Sequence, residues 1–143
     1  MSWKYRFVTL AELVMWTNDW VRSFPTSYDV IVGIPRSGSL VAHIVALKLG
    51  KPVTTPDLLN ENQYWMTPQG RRTSDHKRIL LIDDSISKGE KFCETLAMVR
   101  STNPEWDVST GALIVTPEAK HLVDLYHMEI RQPRLFEWNM LHV

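Results

Sequence analysis

The chain has 143 residues, 44% of them apolar, and its 16 lysines and arginines balance its 16 aspartates and glutamates. That length suits one domain with its own core, and a net charge near zero argues against broad electrostatic binding of nucleic acid. The apolar runs are far too short to cross a membrane, and Met1 to Arg6 lack the apolar stretch of a signal peptide, so a cytoplasmic protein with neither nucleic-acid nor membrane partners is expected.

Thr9 and Glu12 form a capping-box pattern that opens a helix to about Ser23, with Leu10, Leu13, Val14, Trp20 and Val21 turned toward a sheet. Val30 to Ile34 is a continuous apolar run, as in a strand buried on both faces, and Pro35 stops its ladder. Ser37 or Ser39 then caps a helix whose apolar stripe uses Leu40, Val41, Ile44, Val45 and Leu47, and which Gly50 and Pro52 end. A strand follows to about Thr55. From Pro56 to Lys77 the chain is polar and irregular, long for a structureless connection, which points to function or mobility. Ile79 to Ile82 reads as another buried strand, and a helix runs from about Gly89 to Thr102, ended by Asn103 and Pro104. Val108 to Val115 is a strand, Pro117 starts a helix through Leu125, and Tyr126 to Ile130 forms a last strand. This alternation is that of an α/β domain, a parallel sheet flanked by helices with right-handed crossovers.

The lone Cys93 forms no intrachain disulfide and reads as a packing residue among Phe92, Leu96 and Val99. His43, His76, His121, His127 and His142 have no metal-binding spacing.

Chemistry concentrates in two strand-to-helix turns. In the second, Asp83 and Asp84 follow the strand and Ser85, Ser87, Lys88, Gly89, Glu90 and Lys91 lead into the helix. Gly89 lets backbone approach a ligand, the hydroxyls donate, and the N–H groups from Lys88 to Lys91 can surround a phosphate. Lysines at a helix start oppose the macrodipole, so Lys88 and Lys91 are better explained by a bound anion than by helix stability. Adjacent carboxylates repel phosphate but accept well from a vicinal diol, such as the 2- and 3-hydroxyls of ribose. In the first turn, Arg36, Ser37, Gly38 and Ser39 bring a guanidinium and free N–H groups to another helix start, a suitable site for a diphosphate.

Asp83-Asp84-Ser85-Ile86-Ser87-Lys88-Gly89-Glu90-Lys91 resembles the phosphoribosyl-pyrophosphate (PRPP) signature of the type I phosphoribosyltransferases, and Ile34-Pro35-Arg36-Ser37-Gly38 resembles their pyrophosphate loop. The resemblance covers about Tyr28 to Val115 and implies a Rossmann-like parallel sheet flanked by helices, with a small C-terminal hood over about 126–143, in a single domain spanning 1–143. It departs at Lys91, where the family commonly has a small or hydroxylated residue on the 5-phosphate; here an ammonium takes that place. The implied activity is a PRPP-dependent pentosyl transfer in nucleotide salvage, moving the phosphoribosyl group to a nucleobase, purine before pyrimidine, with release of pyrophosphate. Asp83 and Asp84 hold the ribose diol and share Mg²⁺ held mostly by PRPP and water; Ser85, Ser87, Lys88, Gly89, Glu90 and Lys91 surround the 5-phosphate; Arg36, Ser37 and Gly38 hold pyrophosphate. Members often carry a cis, non-proline peptide in that loop, and many are homodimers.

Two segments keep two readings each. Arg71 and Arg72, with Gly70 as a hinge, either fold down onto pyrophosphate as the family's flexible loop does, or form a solvated basic turn. Phe136 and Trp138, in a segment reminiscent of the ending of some 6-oxopurine transferases, either stack on the base or pack in the core or a dimer interface. A regulator that binds PRPP or a nucleotide without turnover keeps the fold and drops the reaction. A phosphoacceptor domain would use Asp83 and Asp84 but has no need of Arg36-Ser37-Gly38.

Overall fold

The computed structural model describes residues 4–61, 63–65 and 78–139. Seven strands and four α-helices follow one another as β1 (Arg6–Val8), α1 (Leu10–Val21), β2 (Val30–Gly33), α2 (Ser37–Leu49), β3 (Val53–Thr54), α3 (Pro56–Asn60), β4 (Arg78–Ile86), α4 (Glu90–Thr102), β5 (Asp107–Val115), β6 (Leu125–Glu129) and β7 (Arg134–Phe136). Five strands form one parallel sheet in the order β3-β2-β4-β5-β6, and β1 pairs with β7 in a separate parallel ribbon. No described helix is long and apolar enough to cross a membrane.

The continuous apolar runs are explained by burial on both faces. Along β2 and β4, Ile31, Leu80 and Ile82 join Leu13, Trp20, Val41 and Val45 from α1 and α2 on one side, while Val30, Val32, Ile79 and Leu81 join Leu59, Phe92 and Val99 from α3 and α4 on the other. Successive side chains of a strand alternate faces, so a strand with helices above and below has no polar position to offer.

The capping box forms as the sequence indicates. Glu12 N–H donates to Thr9 Oγ1 at 3.0 Å and Thr9 N–H donates to Glu12 Oε1 at 3.1 Å. Four expectations about the elements outside the two turns need correction. Neither Ser37 nor Ser39 caps α2: the helix enters through Arg36, which makes no side-chain cap, directly after a cis Pro35–Arg36 peptide, so Ser37 is already its first residue. The buried face of α2 is built from Gly38, Val41, Ala42, Val45 and Ala46, because the helix lies close to β4 and α1 and small residues admit that approach; Leu47 is 82% exposed. The segment from Pro56 is not irregular at its start, since Pro56 opens the helical turn of α3, where its missing N–H costs nothing, and Trp65 makes an antiparallel bridge to Val53. The helix expected from Pro117 to Leu125 is a single 3₁₀ turn at Lys120–Leu122. There Thr116 Oγ1 donates to Ser87 O at 2.7 Å and Asp124 exchanges hydrogen bonds with Thr110, which fixes both ends of the connection and leaves no length for a helix.

Trp20 anchors the α1 layer. It is 1% exposed, meets Phe24 edge-on at 5.0 Å, and lies on Gly111 of β5, where an added Cβ would fall 3.0 Å from its ring. Trp20→Ala is therefore expected to destabilise the fold by about 3–5 kcal/mol, read as a lower urea midpoint at unchanged slope; a loss below about 1 kcal/mol would contradict this account of the core.

Candidate functional site

The order of the sheet sets the place. From β2 the chain moves outward to β3, then returns to β4 on the other side of β2 and continues to β5 and β6, so the switch of direction lies between β2 and β4. Ligands of open α/β sheets bind outside the carboxyl ends of strands at such a point. Here those ends are staggered. The β2–β4 ladder stops at the pair Gly33–Ile82, whereas β4 stays paired with β5 through Asp83–Ala112, Ser85–Ile114 and Ile86–Val115. Asp83 and Asp84 thus belong to the strand itself, a correction to a strand ending at Ile82, because β5 is long enough to pair with them.

Into the gap beside Asp83 comes the first turn of α2. An added Cβ on Gly38 would lie 3.0 Å from Asp83 Oδ1 and 3.1 Å from Ile82 O. Only a residue without a side chain allows this approach, and it brings the Arg36-Ser37-Gly38 turn against the acid pair. Arg36 is exposed and Gly38 is buried. Beyond Ile86, Ser87 and Lys88 form an exposed turn, and Gly89 adopts φ 88°, a left-handed conformation that side chains resist. Thr116, just past the end of β5, fixes this turn through the Ser87 carbonyl. Cys93, on the first turns of α4, is exposed rather than packed.

The carboxylates differ in their surroundings. Asp83 Oδ1 accepts from Asp84 N–H at 2.9 Å. Burial, then hydrogen bonding and repulsion from Asp84, push its carboxyl up to about 8, against the backbone hydrogen bond and the Lys91 ammonium. Asp84 is 4% exposed; its Oδ1 accepts from Ser85 N–H at 2.8 Å and its Oδ2 from Trp138 Nε1–H at 2.9 Å. Lys91 acts on Asp83 and lines a cavity of about 190 Å³ with Ile34, Pro35, Asp57 and Thr95, between the two turns.

The segment after β6 reaches the acid pair. Arg134 of β7 donates from Nε to Ser85 Oγ at 3.1 Å; its burial lowers its pKa, opposed by the carboxylates of Asp84 and Glu118. Phe136 and Trp138 stack on each other, centroids 4.7 Å apart, and both pack against the α1–α2 core. The structure therefore brings together Asp83, Asp84, Ser85 and Trp138, and puts Gly38 against Asp83. Arg71 and Arg72 lie outside the described residues. Thr116 and Arg134 were not foreseen as contributors; the alternation of Arg134 and Phe136 around Leu135 was the available signal for a strand with one inward face.

Two carboxylates suit Mg²⁺. Among the described residues no group of three or more His, Cys, Asp or Glu side chains gathers as a metal cage, and a hard oxygen pair fits an ion that keeps its waters and binds mainly through substrate phosphates.

Two measurements test this geometry. The raised Asp83 value exceeds the 3.8 of an ordinary aspartate, so the fold favours the protonated form; its stabilising contribution is complete below about pH 4 and lost as pH rises through about 8. Unfolding free energy of the metal-free protein should fall across that window by a component that Asp83→Asn removes, and an identical slope in the variant would refute the assignment. At Gly89 an added Cβ would lie 2.3 Å from Leu122 Cδ1, so Gly89→Ala should cost about 1–3 kcal/mol through backbone strain, visible as a lowered Tm.

The sequence profile of the phosphoribosyl transferase domain matches residues 8–142. Among solved structures, a purine phosphoribosyltransferase from Pyrococcus horikoshii superposes with a TM-score of 0.74 at 17% identity, over 99% of this chain and 98% of its own. A xanthine-guanine-hypoxanthine phosphoribosyltransferase from Helicobacter pylori gives 0.73 at 14% identity, over 95% and 93%. A hypothetical protein from Neisseria gonorrhoeae with bound ppGpp gives 0.67 at 14% identity, over 99% and 93%. At these identities the superpositions show the fold alone. A search of the curated proteins gives no match.

Proposed function

The chain belongs to the phosphoribosyl transferase domain family, and from that membership we propose that it moves the 5-phosphoribosyl group of PRPP to a nucleobase, a purine in preference, with release of pyrophosphate. One observation carries the reading: Gly38 packs directly on Asp83, so a diphosphate loop and a diol-binding acid pair meet at the switch point of the sheet, as a substrate with diphosphate on C1 and hydroxyls on C2 and C3 requires.

The exposed turn from Ser87 to Lys91 takes the 5-phosphate through backbone N–H groups and hydroxyls, with Gly89 allowing close approach. Arg36 and the N–H groups of Ser37 and Gly38 take the diphosphate, and Lys91, lining the cavity beside Pro35, adds positive charge between the two anions. Mg²⁺, when bound, supplies further positive charge to the leaving diphosphate. Asp84 faces the anomeric carbon as positive charge develops there, while Asp83 holds the hydroxyls. Catalysis is then orientation and electrostatic stabilisation rather than covalent chemistry. Ser87 is a poor base toward a purine N–H, so that proton leaves to water or to the substrate itself.

A second reading is a regulator that binds PRPP or a nucleotide without turnover. The indole seated on Asp84 favours it, and the Neisseria protein of similar fold was found with bound ppGpp. One experiment separates the two: incubation with PRPP, Mg²⁺ and a panel of purine and pyrimidine bases, with products read by mass spectrometry. A nucleoside monophosphate whose formation drops at least about 100-fold in Asp84→Asn is expected. PRPP binding without any product would replace the transferase by the regulator.

A further inference from the structure

The contact between Trp138 and Asp84 is not one that a site for a sugar diol needs. Asp84 Oδ1 is held by the Ser85 N–H, and Oδ2, the oxygen left for a ligand, is held by the indole N–H at 2.9 Å. A carboxylate oxygen can accept two hydrogen bonds, so lone pairs alone do not exclude a sugar. The bulk of the indole does: with it in place Asp84 is 4% exposed, and Phe136, stacked on the same ring, holds the indole over the carboxylate. The arrangement is tied down at two further points, by Arg134 Nε on Ser85 Oγ and by the pairing of β7 with β1. A segment attached by one strand pair, two side-chain hydrogen bonds and the half-buried rings of Phe136 and Trp138 on the edge of the core can undock without disturbing the main sheet.

We propose that Trp138 is a latch on Asp84: in the ligand-free protein its indole N–H occupies the acceptor that a ribose diol takes, and a sugar phosphate carrying the vicinal diol displaces it, whereas phosphate or pyrophosphate alone does not. The inference deepens the phosphoribosyl reading and rests on it. Its consequence is a coupling between the two halves of the site. An aromatic ring becomes available on the base side only after the sugar has seated, and in the regulator the same movement would report occupancy to the surface of the hood. Trp138 is in this account a gating residue, acting through Asp84.

The test uses the whole protein. The indole N–H resonance of Trp138 is assigned by triple-resonance spectra and checked by its loss in Trp138→Phe, which keeps a ring against Phe136 and removes the donor. Ribose 5-phosphate, and PRPP with Mg²⁺, are expected to shift that resonance away from its hydrogen-bonded position; pyrophosphate, 2-deoxyribose 5-phosphate and Mg²⁺ alone are expected to leave it in place. By calorimetry Trp138→Phe should bind ribose 5-phosphate up to about tenfold more tightly, the competing hydrogen bond to a charged group having been removed. Sugar-phosphate binding with an unmoved indole, or with equal or weaker affinity in the variant, overturns the latch while the phosphoribosyl reading stands. An indole displaced equally by pyrophosphate overturns the diol as its trigger. Absence of any sugar-phosphate binding in both proteins overturns the latch together with the reading beneath it. If Trp138→Phe does not fold, the spectra of the unaltered protein decide.

Discussion

A mismatch in strand length governs the site. β2 gives up its pairing with β4 at Ile82, and β4 continues to Ile86 with β5 as its one paired strand among the described residues. The unpaired edge of those last residues has to face something, and what it faces is the first turn of α2, admitted by the absence of a side chain on Gly38. The Arg36-Ser37-Gly38 turn and the acid pair take their relative position from this step. The carboxylates are held by a ladder and not by a loop, which fixes them as firmly as any part of the sheet, while the turn that follows keeps its N–H groups at the surface.

The same step sets the electrostatics. Two adjacent acids on one strand point to opposite faces, and each lies in a different medium. Asp83 is drawn against the α2 turn, where burial and its neighbour hold its proton, while both oxygens of Asp84 accept hydrogen bonds, from Ser85 and Trp138. A proton held on Asp83 lessens the repulsion between the two neighbouring carboxyl groups.

What could be read in the sequence was what local chemistry decides. Thr9 and Glu12 cap their helix with each other, Gly50 closes α2 in the left-handed region, and the alternation of strands and helices follows from the apolar runs. The order of the two turns was legible too, and so was the resemblance they carry. The failures have a common origin in distant partners. Asp83 to Ile86 are strand because β5 supplies a ladder; the stretch after Pro117 is not helix because Thr116 and Asp124 are engaged elsewhere. The strands β1 and β7 are three residues each, too short to show a period, and they exist because they find each other. Trp138 was readable as a ring that stacks or packs, but its N–H could be assigned only once Asp84, far off in sequence, was beside it.

The pairing of β1 with β7 joins segments from opposite ends of the chain, Arg6 with Arg134 and Val8 with Phe136. Such a contact closes the largest loop between paired strands among the described residues, and loop-closure entropy makes it late to form. Six residues in two short strands cannot by themselves offset that entropy, so the ribbon exists by leave of the sheet already assembled beneath it. Trp138, which covers Asp84, thus follows a ribbon that waits on the sheet, so the acid pair is enclosed only once both ends of the described chain have come together.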